Sequence, residues 1–259
     1  MRTALITGAS SGIGAAAARV FDAAGYRVAL VARTAENLAQ TAEGLSNKPV
    51  VEAVDAANGD AVLAMADRLR ADFGVPDVII NNAGAGVWKY IEDTKPAEAI
   101  TMINAPYLAA FNVTHAFMSD MLSRRSGVLI HVNSPAAEMV WPSCTGYAAA
   151  RFALRGLHEA LSQDLAGTGV RSCQVIFGEV SSEYWENNPG SRAYAPKISK
   201  TVPVMTPEAC ARVLLRVAER PRRQVVYPFM LRLYHWNYAL APWLVRWLFR
   251  LTGRKRSRP

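Results

Sequence analysis

Short apolar runs alternate with longer stretches of helical character along most of this chain. Ala4–Ile6, Arg27–Val31, Val50–Val54, Asp77–Ile80, Gly127–Val132 and Val170–Ile176 read as six strands. Gln224–Tyr227 reads as a seventh. Helical stretches lie at 15–21 and near 35–46, 58–73, 96–122 and 147–167. The strands are apolar on nearly every position, which predicts burial on both faces, and strands that alternate with helices predict a parallel sheet covered on both sides. No repeat, linker or composition break appears before about residue 222. The pattern predicts a single doubly wound α/β domain with an appended tail.

Composition narrows this only slightly. The 259 residues suffice for one large domain, and a 51% hydrophobic fraction supports a sizeable core. Cys144, Cys173 and Cys210 are too few and too far apart for a disulfide framework or a metal cluster, which points to a reducing compartment. Four scattered histidines show no zinc spacing. Met1 runs almost directly into the first strand, so no signal peptide is expected. The net charge of +8 is concentrated at one end: residues 225–259 hold seven of the 29 Lys and Arg and no acid.

In a doubly wound sheet, ligands sit beyond the carboxyl ends of the strands. After the first strand comes Gly8-Ala9-Ser10-Ser11-Gly12-Ile13-Gly14, which opens a helix. Such a turn leaves backbone N–H groups free at a helix N-terminus, a site suited to a pyrophosphate. Gly8 permits the sharp turn, Gly12 lets the backbone approach the phosphates, and Gly14 allows close helix packing. Ser10 or Ser11 is a candidate hydroxyl donor to a ribose 2′-phosphate. After the second strand comes Ala32-Arg33, where a site for NAD would place a carboxylate. A cation there suits a ribose 2′-phosphate instead. Asp55 follows the third strand and is a candidate acceptor for an adenine amino group. Asn81-Asn82-Ala83-Gly84 follows the fourth as a small polar turn along which a cofactor would run.

Chemistry enters after the fifth strand. Ser134 closes it, and Tyr147 opens a helix in which Arg151 lies at i+4, on the same face. A cation on that face stabilises tyrosinate, and a tyrosine so tuned serves as general acid or base.

Together these residues resemble the short-chain dehydrogenase/reductase family. Thr7-Gly8, Gly12, Gly14, Asn81-Asn82-Ala83-Gly84, Asn104, Ser134 and Tyr147 match its order and spacing, and the resemblance covers about residues 3–220. It implies a single Rossmann-type domain with a seven-stranded parallel sheet, binding NADP(H). It implies Tyr147 as proton donor or acceptor, Ser134 as partner of the substrate oxygen, and Asn104 as holder of a relay water. It also implies a homodimer or homotetramer. Two positions depart from the family pattern. Arg151 stands where the family has lysine; it keeps the charge and can bond the ribose hydroxyls but cannot pass on its own proton. Phe177-Gly178-Glu179-Val180-Ser181-Ser182 replaces a Pro-Gly segment; Gly178 and Val180 match, and Ser182 can replace a threonine hydroxyl near the nicotinamide. Residues 183–205 then correspond to the lid over the substrate.

The domain is thus expected to span 1–222, with the last strand and a basic amphipathic tail in 223–259. At 100° per residue, Arg246, Arg250 and Arg254 share one arc, while Trp243, Leu244, Val245, Leu248, Phe249 and Leu251 fill much of the rest. Charged and polar interruptions exclude an ordinary membrane span. Pro242 is expected to begin a second helix or kink it away from the first. Membrane-surface contact of the tail across 228–258, ending in Arg254-Lys255-Arg256-Ser257-Arg258, is favoured over packing on the domain or on a second subunit. No nucleic-acid partner is expected, because no recognised binding fold accompanies the basic end. The leading expectation is a cytoplasmic ketoreductase, peripheral on the membrane, that interconverts a lipophilic ketone and its secondary alcohol. Two alternatives stay open: an NADPH-binding regulatory protein with little turnover, and a membrane-surface interaction module on a Rossmann scaffold.

Overall fold

The computed structural model describes residues 1–254; Lys255, Arg256 and Arg258 of the basic end lie outside the described residues. Seven strands form one parallel sheet: β1 (Arg2–Thr7), β2 (Tyr26–Ala32), β3 (Val50–Ala53), β4 (Val78–Asn81), β5 (Gly127–Asn133), β6 (Val170–Phe177) and β7 (Gln224–Tyr227). Their order is β3-β2-β1-β4-β5-β6-β7. The chain winds outward from β1 one way and from β4 the other, which opens a crevice between the carboxyl ends of those two strands.

Alternate residues of each strand feed two cores. Ala4, Ile6, Val28 and Leu30 face α1 (Gly12–Ala23), α2 (Ala35–Ala42) and α8 (Pro207–Glu219). Leu5, Ala29, Val31 and Ile79 face α3 (Gly59–Asp72) and α5 (Ala109–Ser123). Both faces are covered, which is why the strands carry no polar alternation. The remaining helices are α4 (Pro96–Ile103), α6 (Thr145–Asp164), the single turn α7 (Tyr184–Asn187), α9 (Phe229–Leu240) and α10 (Pro242–Thr252).

The expected helix over 96–122 is interrupted by a wide π-turn at Asn104–Leu108. Pro106 sits within it. Proline lacks the N–H that would bond Met102, and its ring clashes with that carbonyl, so the helix widens locally.

The tail breaks at Pro242 as expected, but one of its faces packs on the domain, where the sequence favours membrane contact. It is two short helices joined at Ala241, with Pro242 opening the second. Leu231 and Val245 are buried against Met139 and Ile176, with Tyr234, Tyr238 and Phe249 around them. Trp243, Trp247 and Leu251 point outward, on the same side as Arg246 and Arg250. One face therefore packs on the domain, and aromatic and cationic side chains share the other.

The polar part of the core carries a pH dependence. His131 on β5 is fully buried, its Nδ1 accepting from Asn81 Nδ2 at 3.3 Å. His158 on α6 shares a hydrogen bond with Ser172 Oγ at 2.9 Å, and the two imidazoles lie 6.0 Å apart. Burial, reinforced by His158, pushes His131 down to about 3; burial pushes His158 down to about 4. The folded state thus resists protons that the unfolded chain takes up near pH 6.5. Stability is fully present above that value and falls as the pH drops toward 4. By pH 5 the loss is about 2 kcal/mol per histidine. Denaturant unfolding between pH 7 and 5 should show this slope, roughly halved in His158→Gln. A flat profile contradicts it.

Candidate functional site

The crevice at the β1–β4 switch is a cleft of about 870 Å³. Its floor is the glycine turn. Gly8 holds a positive φ of +64°, which a side chain would strain. A Cβ on Gly14 would lie 2.0 Å from the Gly8 carbonyl oxygen, so the first turn of α1 sits directly on the end of β1. Asn82 locks this arrangement by donating its Nδ2 to the carbonyls of Thr7 at 3.1 Å and Gly8 at 3.3 Å. Thr7 Oγ1 accepts from the N–H groups of Asn82 and Ala83, each at 3.0 Å. The Asn82-Ala83 turn, expected as a cofactor passage, therefore also braces the cradle. Ser11 occupies the N-cap of α1 without turning its side chain onto the helix. The first-turn N–H groups consequently remain available to an anion.

The cleft also gathers Ser10, Ser11, Gly12, Ile13, Arg33, Asp55, Asn82, Ala83 and Gly84 along one half. Arg33 is exposed at the end of β2 and makes no ion pair among the described residues. Asp55 Oδ1 accepts from Ala57 N at 3.0 Å, which fixes the turn after β3. Asn104, Ser134, Tyr147, Arg151, Gly178, Val180 and Ser182 line the other half. Each of the residues expected at the site thus lines the cleft or, for Gly14, supports its floor.

Tyr147 and Arg151 are both buried, at 5% and 7% exposure. The guanidinium carbon lies 5.0 Å from the centre of the Tyr147 ring. The charge thus stacks on the ring rather than simply sitting beside the hydroxyl, which a flat guanidinium can do and an ammonium does less well. Arg151 Nη1 donates to the Val132 carbonyl at 3.3 Å, and its Nε is buried with no partner. Two glycines make room. A Cβ on Gly84 would lie 2.8 Å from Arg151 Nη2, and one on Gly86 would lie 2.3 Å from Tyr147 Cδ2. Asn133, at the end of β5, donates to the Arg151 carbonyl at 3.2 Å and to Gln174 Oε1 at 2.8 Å. Its own Oδ1 accepts from Ser134 N at 2.9 Å. One carboxamide so ties the Ser134 loop to the helix carrying Tyr147.

An aromatic shell surrounds Tyr147: Tyr184 and Trp185 come from the expected lid segment, while Trp88 and Trp141 are not among the expected site residues. Trp88 lies 5.7 Å from it, Trp141 lies 4.9 Å from Trp88, and Trp185 packs edge-on to Trp88 at 5.1 Å. Tyr184 donates to the Gly86 carbonyl at 3.0 Å, and its ring meets Tyr147 at 6.5 Å. Burial, and then the neighbouring Tyr147, push the Tyr184 phenol well above its ordinary range. Trp88 and Trp141 come from loops after β4 and β5, where no periodicity announces them.

The segment carrying Tyr184 and Trp185 is pinned at its base. Val180 bridges Met205, Ser181 N donates to the Met205 carbonyl at 2.8 Å, and Met205 N donates to that of Glu179 at 2.9 Å. Its middle is tied down where Trp88 N donates to Ser191 Oγ at 3.0 Å. Among the described residues, no group of three His, Cys, Asp or Glu is placed to hold a metal ion.

A sequence profile described as short chain dehydrogenase matches residues 2–192. The chain belongs to the short-chain dehydrogenase/reductase family. An uncharacterized oxidoreductase of Mycobacterium tuberculosis is 32% identical over 236 residues, which make up 86% of this chain and 65% of that one. An alcohol dehydrogenase from Thermococcus sibiricus, solved with 5-hydroxy-NADP, superposes with a TM-score of 0.77 at 25% identity, covering 88% of this chain and 96% of that one. A metagenomic short-chain oxidoreductase solved with NADP gives 0.72 at 28% identity, covering 87% and 95%. The chain spans 60% and 65% of the length of leading curated relatives it matches.

Proposed function

We propose that this short-chain dehydrogenase/reductase interconverts a hydrophobic ketone and its secondary alcohol with NADP(H). The observation that carries the reading is the convergence, in one cleft, of the glycine cradle with Ser134 and the buried Tyr147–Arg151 pair. The residues fit a dinucleotide. The cradle is too tight for a Cβ at Gly14, the first-turn α1 N–H groups are free of a side-chain cap, and Arg151 Nε lacks an acceptor that a ribose hydroxyl would supply. Gly8, Ser10, Ser11, Gly12 and Ile13 would hold the pyrophosphate and Arg33 the 2′-phosphate. Asp55 would face the adenine. Asn82, Ala83, Gly84, Tyr147, Arg151, Gly178, Val180 and Ser182 would flank the nicotinamide half.

When bound, the reduced nicotinamide supplies the hydride that the carbonyl carbon takes. Ser134 donates to the carbonyl oxygen and orients it. Tyr147 gives its phenolic proton to that oxygen as negative charge develops there. Arg151 stabilises the tyrosinate left behind, and a water held by Asn104 restores its proton. The reverse sequence oxidises the alcohol. Tryptophan and tyrosine walls exclude water and favour an apolar substrate body. Residues 183–205 act as the lid.

The cofactor assignment is tested through Arg33. A charge-assisted bond to the 2′-phosphate is worth about 1.5–3 kcal/mol. Arg33→Ala should lower the ratio of NADPH to NADH affinity at least about tenfold. An unchanged ratio removes the assignment.

A second reading concerns the outward face of the tail. Leu240 is 87% exposed, Trp243 71% and Trp247 54%, interleaved with Arg246 and Arg250. Residues 228–254 contain no acid to offset these cations. Exposed tryptophans mixed with arginines suit the surface of an anionic bilayer. No described helix is long and apolar enough to cross a membrane. The protein should sediment with vesicles containing phosphatidylglycerol at low salt, and the double variant Trp243→Ala, Trp247→Ala should stay largely in solution. Well-folded wild type that ignores such vesicles removes this reading.

A further inference from the structure

The inward face of the tail reaches the cleft itself. Leu231 and Tyr234 of α9 and Phe249 of α10 are among the residues lining it. Leu231 sits where α9 meets the end of β6: a Cβ on Gly178 would lie 3.8 Å from Leu231 Cδ2. Phe249 lies 6.0 Å from Trp141, which continues through Trp88 to Tyr147. A row of mutually tilted rings therefore runs from the buried tyrosine to the second tail helix.

The tail is fastened where it makes this wall. Glu138, on the loop after β5, accepts from His235 Nδ1 and, at 3.0 Å, from Gln224 Nε2. Burial alone would raise the Glu138 carboxyl. The hydrogen bond and charge of His235, with the charge of Arg155, instead hold it below the ordinary carboxylate value. Tyr234 shares a hydrogen bond with Thr201 Oγ1 at 2.8 Å, which joins α9 to the far end of the 183–205 segment. Val245 is 3% exposed, so α10 is seated as well. None of these tail residues falls within the stretch that the family profile matches.

We infer that Leu231, Tyr234 and Phe249 form the distal half of the substrate site and select compounds with an extended apolar body. The carbonyl or carbinol end lies at Tyr147, and the alkyl chain or ring system runs along Trp141 to Phe249. Which end reacts rests on the oxidoreductase reading; the apolar subsite does not. Each methylene laid against this wall should raise affinity about fourfold until the wall ends.

The test is calorimetric binding of 2-butanone, 2-octanone and 2-decanone to the full-length protein, with and without saturating NADP⁺, which blocks reduction. NADPH-dependent turnover is measured in parallel. Wild-type affinity should climb with chain length. Phe249→Ala should leave 2-butanone within about twofold and weaken 2-decanone about tenfold or more. Phe249→Trp fills the distal end and should penalise 2-decanone but not 2-butanone, which keeps the test open if the alanine variant folds poorly. Ring loss that merely loosened the fold would weaken all three ketones alike. The inference falls if wild type shows no length dependence, or if both variants keep the wild-type pattern. Tail-dependent binding without any turnover supports the subsite and overturns the oxidoreductase reading. Turnover with an unchanged length pattern does the reverse.

Discussion

Tyr147→Phe should cut turnover by about 10²–10⁴-fold while NADPH affinity and folding stay close to wild type. The substitution removes only a hydroxyl. The ring that remains still fills the space against Gly86, where a Cβ would approach within 2.3 Å of it. It still carries Arg151 on its face and meets Trp88 at 5.7 Å. What disappears is the hydroxyl proposed to transfer its proton to the substrate oxygen. The loss should therefore appear in kcat rather than in cofactor binding. Tyr184 stands beside Tyr147 but is no substitute: its phenol is shifted up and its hydrogen is engaged by the Gly86 carbonyl. Normal turnover in Tyr147→Phe contradicts the proposed chemistry, and a drop in the unfolding midpoint would show that the hydroxyl is structural.

Gly14→Ala should be at least as damaging, by a different route. The added carbon would lie 2.0 Å from the Gly8 carbonyl oxygen, 2.7 Å from its carbon and 2.8 Å from Asn82 Nδ2. Two of these atoms belong to the backbone, so no rotamer change relieves the clash. Either α1 lifts from β1 or the Gly8 turn moves and its Asn82 hydrogen bonds break. Overpacking of this kind costs about 1–3 kcal/mol of stability, occasionally more. The cradle N–H groups also leave their positions. Losing two charge-assisted bonds to phosphate, each about 1.5–3 kcal/mol, lowers NADPH affinity by two orders of magnitude or more. Titration of cofactor binding alongside an unfolding curve checks both. Wild-type affinity in a stable Gly14→Ala protein would show that the turn is not the cofactor cradle.

Much of the architecture was legible because burial on both faces writes strands as apolar runs, as in Leu5–Ile6 and Ile79–Ile80. The glycine turn was legible because Gly8 and Gly14 answer steric demands that another side chain fails. Other features depended on contacts between distant segments. Trp88 and Trp141 are brought to Tyr147 by loops whose sequence carries no period. The π-turn at Asn104–Leu108 turns on one proline within an otherwise helical pattern. The stacking of Arg151 on its i−4 neighbour follows from the room at Gly84 and the Val132 carbonyl, neither of which spacing reveals. In the tail, an apolar arc on a helical projection does not say whether lipid or protein covers it. Val245 and Phe249 turned inward, while Trp243 and Trp247 did not.

Deuterium transfer tests the central claim most directly. The full-length protein is incubated with NADPH dideuterated at nicotinamide C4 and an apolar ketone, with Tyr147→Phe beside it, and the product is read by mass spectrometry. Wild type should yield a secondary alcohol with one deuterium on the carbinol carbon and a stoichiometric amount of NADP⁺, and the variant should yield almost none. No deuterated alcohol from wild type across ketones of differing chain length and ring number would contradict the account.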